Sequence, residues 1–277
     1  MEKFHGDSGA TLSYDDVGYG LCVLAMHGAY STHHELASAL EPLFAPEDSY
    51  RRIYPDIPGM GVSPPHESIQ SSNDVVDLLD QFIDDQIGRG PLVVIGHSYG
   101  AHLARGLAVR RPRQVSGMAL ICPLIPGAMN PESHTVVQSD IDAAALLDPS
   151  LVDEYVGYFV VQTDETLQRF NDAVVPSMGQ FDGDAVERIM SQWNLHPNPD
   201  ATQFDAPTLI LTGRHDSWVG YREQANLVDR YPRASYVVLA DTGHALPHER
   251  PGLLSALLDD WLTSSFAALN DGADDSN

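Results

Sequence analysis

The chain has 277 residues, of which 43% are hydrophobic and 19% charged, proportions that are typical of a soluble globular protein. Its formal net charge of -24, with Lys3 as the only lysine, argues against nucleic acid and anionic membranes as partners. No apolar run approaches the roughly 18 residues of a membrane span, no signal peptide is recognisable at the start, and two cysteines are too few for a disulfide framework, so we expect a cytoplasmic protein.

The first part of the chain alternates strand patterns with helix patterns. Residues 11–26 combine alternation, a glycine-rich turn and a buried apolar run, which predicts a hairpin. The elements predicted after it are a helix over 33–44, a strand near 50–54, a helix over 71–87, a strand over 92–95, a helix ending near 111 and a strand over 115–122. Strands that are apolar throughout and alternate with helices predict a parallel sheet covered on both faces.

The pattern changes over residues 123–204. This segment holds 13 Asp and Glu residues against two Arg residues, and it predicts short helices without a convincing strand. Its acidity indicates either a solvated face that aids solubility or a lid that favours cationic or amine-bearing substrates. Strand and helix patterns then resume at 207–213, 221–231, 235–240 and 251–266, and we expect residues 271–277 to be a disordered tail.

The stretch Gly-His-Ser-Tyr-Gly at residues 96–100 is the first candidate for chemistry. A Gly-x-Ser-x-Gly match alone is weak, but here a buried strand precedes it and a helix with small residues follows. A serine between such elements sits on a tight, strained turn at a helix N-terminus, where developing negative charge is favoured. We therefore interpret Ser98 as a catalytic nucleophile.

A serine nucleophile needs a base, and the base needs a carboxylate that orients it. His244 is the candidate base, because it follows the last predicted strand on the edge of the sheet where Ser98 lies, and His248 is the fallback. Asp216 is the candidate acid after the preceding strand. Asp241, three residues before His244, is more readily explained as a turn cap.

The remaining parts of the predicted site are oxyanion donors and a substrate pocket. The backbone N–H groups of Ala29 and Tyr99 are the candidate donors, because they follow an early strand and the nucleophile. Aromatic residues near these positions and in the acidic segment predict a mostly apolar pocket; the candidates are Tyr30, Tyr158, Phe159, Trp193 and Trp218. No His, Cys or carboxylate spacing indicates a metal site, and we expect no cofactor.

These features together resemble the α/β-hydrolase superfamily: His27-Gly28 after an early strand, the pentapeptide, Asp216, and the Gly-His-x4-Glu-x-Pro ending that starts at Gly243. The resemblance implies a doubly wound, mostly parallel eight-stranded sheet, with residues 1–122 and 205–270 as the core and 123–204 as a helical cap. The order Ser98, Asp216, His244 is that family's order. A serine at position 98 argues against members that resemble dehalogenases or epoxide hydrolases.

The implied function is that of a serine hydrolase acting on a small-molecule substrate, with a carboxylesterase-like reaction as the default. Amide hydrolysis like that of prolyl aminopeptidases, and hydrolysis of a carbon–carbon bond, remain alternatives because the same triad serves both. A small-molecule receptor on the same fold is an alternative of another class. The sequence does not indicate the natural substrate or the oligomeric state.

Overall fold

The structure is a computed structural model that describes residues 1–45, 49–127 and 129–274. The strands are β1 (Glu2–His5), β2 (Thr11–Gly18), β3 (Leu21–Met26), β4 (Tyr50–Pro55), β5 (Leu92–His97), β6 (Val115–Ile121), β7 (Gln138–Ser139), β8 (Val161–Gln162), β9 (Thr208–Gly213) and β10 (Ala234–Leu239). The α-helices are α1 (His33–Leu40), α2 (Ser72–Phe82), α3 (Tyr99–Arg110), α4 (Ala143–Leu146), α5 (Pro149–Tyr158), α6 (Asp164–Arg169), α7 (Gly183–Ser191), α8 (Leu246–Glu249) and α9 (Pro251–Asp274). Shorter 3₁₀ and π turns are Glu41–Leu43, Ile83–Ile87, Phe170–Val174, Val175–Ser177, Pro199–Ala201 and Glu223–Asp229.

Within the described residues, eight strands form one sheet in the order β1-β2-β4-β3-β5-β6-β9-β10. The pairs β1–β2 and β2–β4 are antiparallel, and the other pairs in this sheet are parallel. Strands β3, β5 and β9 are buried along their whole length, which requires cover on both faces. The predicted α/β fold with a doubly wound, mostly parallel eight-stranded sheet is therefore confirmed.

The hairpin predicted for residues 11–26 is wrong. Strands β2 and β3 follow each other in the chain, but β4 lies between them in the sheet. β3 pairs in parallel on both sides, with β4 and with β5, and its burial along the whole length is typical of a strand inside a parallel sheet. The edge strand β1 was not predicted, because its four residues, Glu-Lys-Phe-His, carry one buried side chain and no apolar pattern.

Successive residues of the central strands point to opposite faces of the sheet, and each face has its own core. Leu24 and Val94 pack with residues of α2 and α3 on one face, whereas Val23 and Val93 pack with residues of α1 and α9 on the other. Continuous apolar runs thus supply both cores at once. The central strands are therefore packed on both faces up to the ends that carry the candidate site residues.

Residues 123–204, here called the inserted segment, connect β6 to β9. They contain α4 to α7 and a small apolar cluster of their own, built around Tyr155, Phe159 and Phe170. They also contain a parallel pairing of β7 with β8, which corrects the expectation of no strand. Two-residue strands are too short to leave a sequence pattern.

The last helix extends further than the sequence pattern indicates. α9 continues to Asp274, so the first four of the residues 271–277 that we expected to be disordered are helical, and residues 275–277 lie outside the described residues. Helical propensity continues through Ala267, Ala268 and Leu269 without a helix-stopping proline. No helix in the described ranges is both long enough and apolar enough to cross a membrane.

Candidate active site

Ser98 is the single residue between β5, which ends at His97, and α3, which begins at Tyr99. Its backbone has φ 53° and ψ -113°, a combination that L-residues rarely adopt and that costs on the order of 1–3 kcal/mol. The surrounding chain holds this conformation: the Ser98 N–H donates to the Ile121 carbonyl at 2.9 Å. The sharp turn places Ser98 above the end of the sheet at the N-terminus of a helix.

The two glycines that flank Ser98 are needed for steric reasons. A Cβ on Gly96 would lie 2.3 Å from the Gly100 carbonyl oxygen. A Cβ on Gly100 would lie 2.0 Å from the Met26 carbonyl oxygen, which belongs to the neighbouring strand β3. The Gly-x-Ser-x-Gly spacing is therefore what allows the turn to pack against β3.

Asp216 and His244 follow β9 and β10 and meet at the same edge of the sheet. The His244 Nδ1–H donates to Asp216 Oδ2 at 2.8 Å, and both side chains are buried. Asp216 Oδ1 accepts the backbone N–H groups of Trp218 and Val219, each at 2.9 Å. Burial opposes ionisation of Asp216, but His244 and these N–H groups outweigh it and lower the pKa of the carboxyl. An ionised Asp216 keeps the ring proton on Nδ1, which leaves Nε2 of a neutral ring as an acceptor.

A cavity of about 710 Å³ joins these elements, and Ser98, His244 and Ala29 all line it. Its volume lies in the usual range for small-molecule sites, about 300–1,000 Å³. Four of the five predicted pocket residues line it as well, namely Tyr30, Tyr158, Trp193 and Trp218. The Trp218 ring stacks on the His244 ring with centroids 4.9 Å apart.

Phe159, the fifth predicted pocket residue, does not line this cavity. Its side chain is fully buried in the core of the inserted segment, with its ring 5.0 Å from that of Tyr155. The prediction is wrong because α5 ends at Tyr158, and the chain is extended at Phe159. Neighbouring side chains then point to different sides, Tyr158 into the cavity and Phe159 away from it.

One predicted oxyanion donor directly follows Ser98 in the chain, and the other belongs to a loop beside the turn. The Tyr99 side chain points away from the cavity and its hydroxyl lies 2.9 Å from Ser72 Oγ, so only its backbone is available to the site. Its N–H is in the first turn of α3, where N–H groups have no partner within the helix. Ala29 follows Gly28, whose Cβ position lies 3.3 Å from Ser98 Cβ, so this loop runs directly beside the turn.

His97 and His248 are two further histidines near the site. The His97 Nε2–H donates to the His244 carbonyl at 3.2 Å, and burial, together with the nearby His244, lowers the pKa of His97 to about 3. His97 is thus a neutral ring that supports the His244 backbone. His248, the fallback base, does not line the large cavity and instead lies against Glu35, at 3.3 Å between Nε2 and Oε1.

Glu249 is a buried residue of the site region whose contacts the sequence analysis missed. Its Oε2 accepts the Gly243 N–H at 2.6 Å, directly before His244 in the chain. Its Oε1 accepts the N–H groups of Val160 and Val161, at 2.6 and 3.2 Å, from the inserted segment. Burial raises the pKa of Glu249, against the effect of these three donors. The only available signal was the Glu of the Gly-His-x4-Glu-x-Pro motif, which does not identify these partners.

Glu35 is the second missed residue. It belongs to α1, is 8% exposed, and lines the cavity that contains Ser98. Its Oε1 accepts from the Tyr158 hydroxyl at 2.9 Å and from His248, and its Oε2 accepts from the Ser31 hydroxyl. A glutamate that falls beside the apolar face of a predicted helix was the available signal.

His97, Cys122 and His244 place three potential metal-binding atoms within 4.8 Å of one another. Burial raises the pKa of the Cys122 thiol well above its ordinary value, with Asp216 adding to the effect. Metal ligation needs the thiolate, and the His244 ring is already bonded to Asp216. This donor set does not suit a metal ion, and the absence of a metal site stays a prediction.

The sequence model of the Alpha/beta hydrolase family matches residues 22–257. The chain belongs to this family. Among curated relatives, 2-hydroxy-6-oxononadienedioate/2-hydroxy-6-oxononatrienedioate hydrolase 2 of Pseudomonas putida is 26% identical over 274 residues, covering 93% of each chain. Monoacylglycerol lipase ABHD6 of Mus musculus is 26% identical over 271 residues, covering 89% of this chain and 77% of that protein.

Solved structures show the same fold. An alpha/beta superfamily hydrolase from Oenococcus oeni PSU-1 superimposes with a TM-score of 0.86 at 24% identity, covering 96% of this chain and 99% of that one. A thermophilic esterase from Thermogutta terrifontis superimposes with a TM-score of 0.70 at 20% identity, with the same coverage. The named relatives in the alpha/beta hydrolase family are thus hydrolases with different substrates.

Proposed function

We propose that this protein is a serine hydrolase that cleaves a small ester through an acyl-enzyme. The observation that carries the proposal is that Ser98, on its strained turn, opens into the same cavity as His244, whose ring is bonded to the buried Asp216. A nucleophile, a base and an orienting carboxylate are the three parts that acyl transfer requires.

In the first half of the reaction, Ser98 Oγ attacks the carbonyl carbon while its proton passes to His244 Nε2. The tetrahedral intermediate then collapses, and the imidazolium returns the proton to the departing alkoxide. Asp216 stabilises the imidazolium and fixes the orientation of the ring. In the second half, water loses a proton to His244, attacks the acyl-enzyme and releases the acid, with Ser98 regenerated.

The negative charge of each tetrahedral intermediate needs preorganised donors. The Tyr99 N–H at the start of α3 and the Ala29 N–H in the adjacent loop take this role in the proposal. The inserted segment acts as a cap, since it contributes Tyr158 and Trp193 to the cavity, and residues 1–122 with 205–270 form the catalytic core. Tyr30 and Trp218, which are about half exposed, form part of the entrance.

Hydrolysis of a carbon–carbon bond is the second candidate, favoured by the similarity to the Pseudomonas putida relative over almost the whole chain. That relative is named for a substrate with two carboxylates. Turnover of such a dicarboxylate exceeding that of simple p-nitrophenyl esters would favour this candidate over the esterase. Turnover of prolyl or alanyl amides exceeding both would favour an amidase.

Labelling with a fluorophosphonate probe tests the proposed nucleophile. We expect the wild type to be labelled at Ser98, as located by peptide mass spectrometry, and Ser98→Ala to remain unlabelled. Ser116→Ala is the matched control, because Ser116 is a half-buried strand residue whose hydroxyl donates to the Leu92 carbonyl, and it should be labelled like the wild type. A folded wild type that resists labelling would exclude the proposed mechanism.

A further inference from the structure

The cavity that contains Ser98 has an unusual combination of charge and aromatic surface. Six aromatic residues line it: Tyr30, Tyr158, Phe170, Phe181, Trp193 and Trp218. Its charged carboxylates are Glu35 and Glu154, whereas along the part of the chain that the structure describes no lysine or arginine lines it. The substrate cavity is therefore negative and aromatic, not merely apolar.

Glu35 is the carboxylate in the interior of this cavity. It is buried, whereas Glu154 is exposed to solvent and its charge is screened accordingly. Burial opposes ionisation of Glu35, but the contacts with His248 and Ser31 outweigh it and lower the pKa of Glu35 to about 2. Glu35 is thus a carboxylate anion throughout the neutral range.

The groups that contact Glu35 can stabilise its charge without cancelling it. The Tyr158 and Ser31 hydroxyls are neutral donors. His248 Nε2 lies 3.3 Å from Glu35 Oε1, and the charge of Glu35 is left uncancelled where that ring is neutral with its proton on Nε2. These contacts leave Glu35 in the lining of the cavity, where its negative charge can attract a cation without a further hydrogen bond.

We propose that this site takes esters that carry an alkylammonium group, and that Glu35 is the residue that determines this specificity. The inference rests on the proposed ester hydrolysis for its substrate, but not for the binding of the cation. Aromatic faces and a carboxylate are the two kinds of group that attract an ammonium ion in a desolvated site. The same surroundings disfavour a substrate with a free carboxylate, since no lysine or arginine among the described residues lines the cavity to pair with it.

Three thioacetate esters of similar size test the proposal. Their thiols are 2-(trimethylammonio)ethanethiol, its uncharged carbon isostere 3,3-dimethylbutanethiol, and 3-mercaptopropionate, and released thiol is measured with a thiol reagent. We expect wild-type kcat/KM to be at least about fivefold higher for the cationic ester than for the neutral one, in line with a desolvated cation–aromatic contact. The anionic ester should be the poorest of the three.

Glu35→Gln removes the charge of the side chain and keeps its shape. The readout is the ratio of kcat/KM for the cationic ester to kcat/KM for the neutral ester, measured within each variant. This ratio should fall towards one in Glu35→Gln. Asp153→Asn is the matched control, since it removes one charge from an exposed position of α5 that does not line the cavity, and the wild-type ratio should persist there. An unchanged ratio in Glu35→Gln, or a wild type that prefers the anionic ester, would overturn the proposal.

A binding measurement separates this inference from the proposed function. Phenyltrimethylammonium should quench tryptophan fluorescence saturably, because Trp193 and Trp218 line the cavity, and Glu35→Gln should weaken binding at least about fivefold. Saturable binding without hydrolysis of any ester would refute the ester hydrolase and leave the cation site standing. Hydrolysis of the neutral ester without cation binding would do the reverse. Both of these wild-type measurements remain decisive if Glu35→Gln fails to fold.

Discussion

The loops at the strand ends and the inserted segment line the same cavity, but they are stabilised in different ways. Ser98 and Asp216 follow strands that are buried along their whole length, and backbone hydrogen bonds hold both residues. His244 follows the edge strand β10, and its carbonyl accepts a hydrogen bond from the His97 ring. The inserted segment has two two-residue strands and short helices, packed around a small aromatic cluster. Ser98, Asp216 and His244 are thus positioned by the sheet, and the buried charge of the cavity comes from Glu35 of α1, whereas the inserted segment supplies part of the aromatic lining.

Removal of the Asp216 carboxylate should have the largest effect. We expect Asp216→Asn to lower kcat by about 10³–10⁴-fold, because the His244 ring loses its orientation and its stabilised charge. Asp241→Asn is the matched control from the same cluster of loops, since Asp241 is exposed and lies three residues before His244. Ester hydrolysis is the measurement, and an Asp216→Asn variant that is as active as Asp241→Asn would contradict the role proposed for Asp216.

The aromatic cluster of the inserted segment should be sensitive to Phe159 and insensitive to Trp218. Phe159→Ala should destabilise the inserted segment by about 3–5 kcal/mol, the usual cost of emptying a buried phenylalanine site. In native-state hydrogen exchange, we expect faster exchange in α5 and α6 and unchanged protection in β5 and β9. Trp218→Ala should instead raise KM, since Trp218 is 51% exposed at the cavity.

If Phe159→Ala speeds exchange throughout the sheet as strongly as in the inserted segment, then the two regions unfold as one unit. In that case the inserted segment would have no unfolding free energy separate from that of the sheet.

Glycine-to-alanine substitutions should destabilise the protein at the Ser98 turn and stabilise it in the inserted segment. Gly100→Ala should cost at least about 3 kcal/mol, at the upper end of overpacking penalties, because its Cβ would meet the Met26 carbonyl oxygen. Gly157→Ala, in α5, should stabilise the protein by up to about 1 kcal/mol, because no atom lies within 4 Å of its Cβ position. Chemical unfolding of both variants gives these values, and a neutral Gly100→Ala would contradict the steric account of the turn.

Acid destabilisation through Glu35 should be smaller than the loss of stability in Gly100→Ala. The folded-state pKa of Glu35, about 2, lies below the ordinary value of 4.5, so the unfolded chain binds the proton more tightly. The stability that Glu35 contributes is therefore present above about pH 4.5 and is lost as the pH falls towards 2. Between pH 6 and pH 3, we expect the wild type to lose about 2 kcal/mol more unfolding free energy than Glu35→Gln in urea titrations. Parallel pH profiles for the two proteins would contradict this assignment.

Most strands of the sheet, and the candidate site residues at their ends, were predictable because each leaves a pattern in the local sequence. Apolar runs bounded by Gly and Pro predict buried strands, and chemically distinctive residues directly after such runs predict a common edge. The insertion of β4 between β2 and β3 leaves no local pattern, because it depends on which partners β3 needs on each side. Tyr158 and Phe159 are adjacent aromatic residues, so the sequence predicts both equally well as lining the cavity. Only the end of α5 at Tyr158 distinguishes them.

The buried carboxylates were less accessible to prediction because their partners are distant in the chain. Glu35 contacts Tyr158 and His248, which are 123 and 213 residues away. Glu249 bonds to backbone N–H groups, which every residue except proline has, so no side-chain pattern marks them. Residues of this kind follow from the assembled fold, not from local sequence.

The three hydrogen bonds of Glu249 set a rule for engineering the protein. One of its oxygens holds the residue before His244, and the other holds two consecutive N–H groups of the inserted segment. A foreign segment grafted between β6 and β9 must therefore present two adjacent N–H donors at the position of Val160 and Val161, whatever its own fold. A chimera without these two donors leaves the buried Glu249 side chain short of hydrogen-bond partners next to the loop that carries His244, even if its new cavity is well designed.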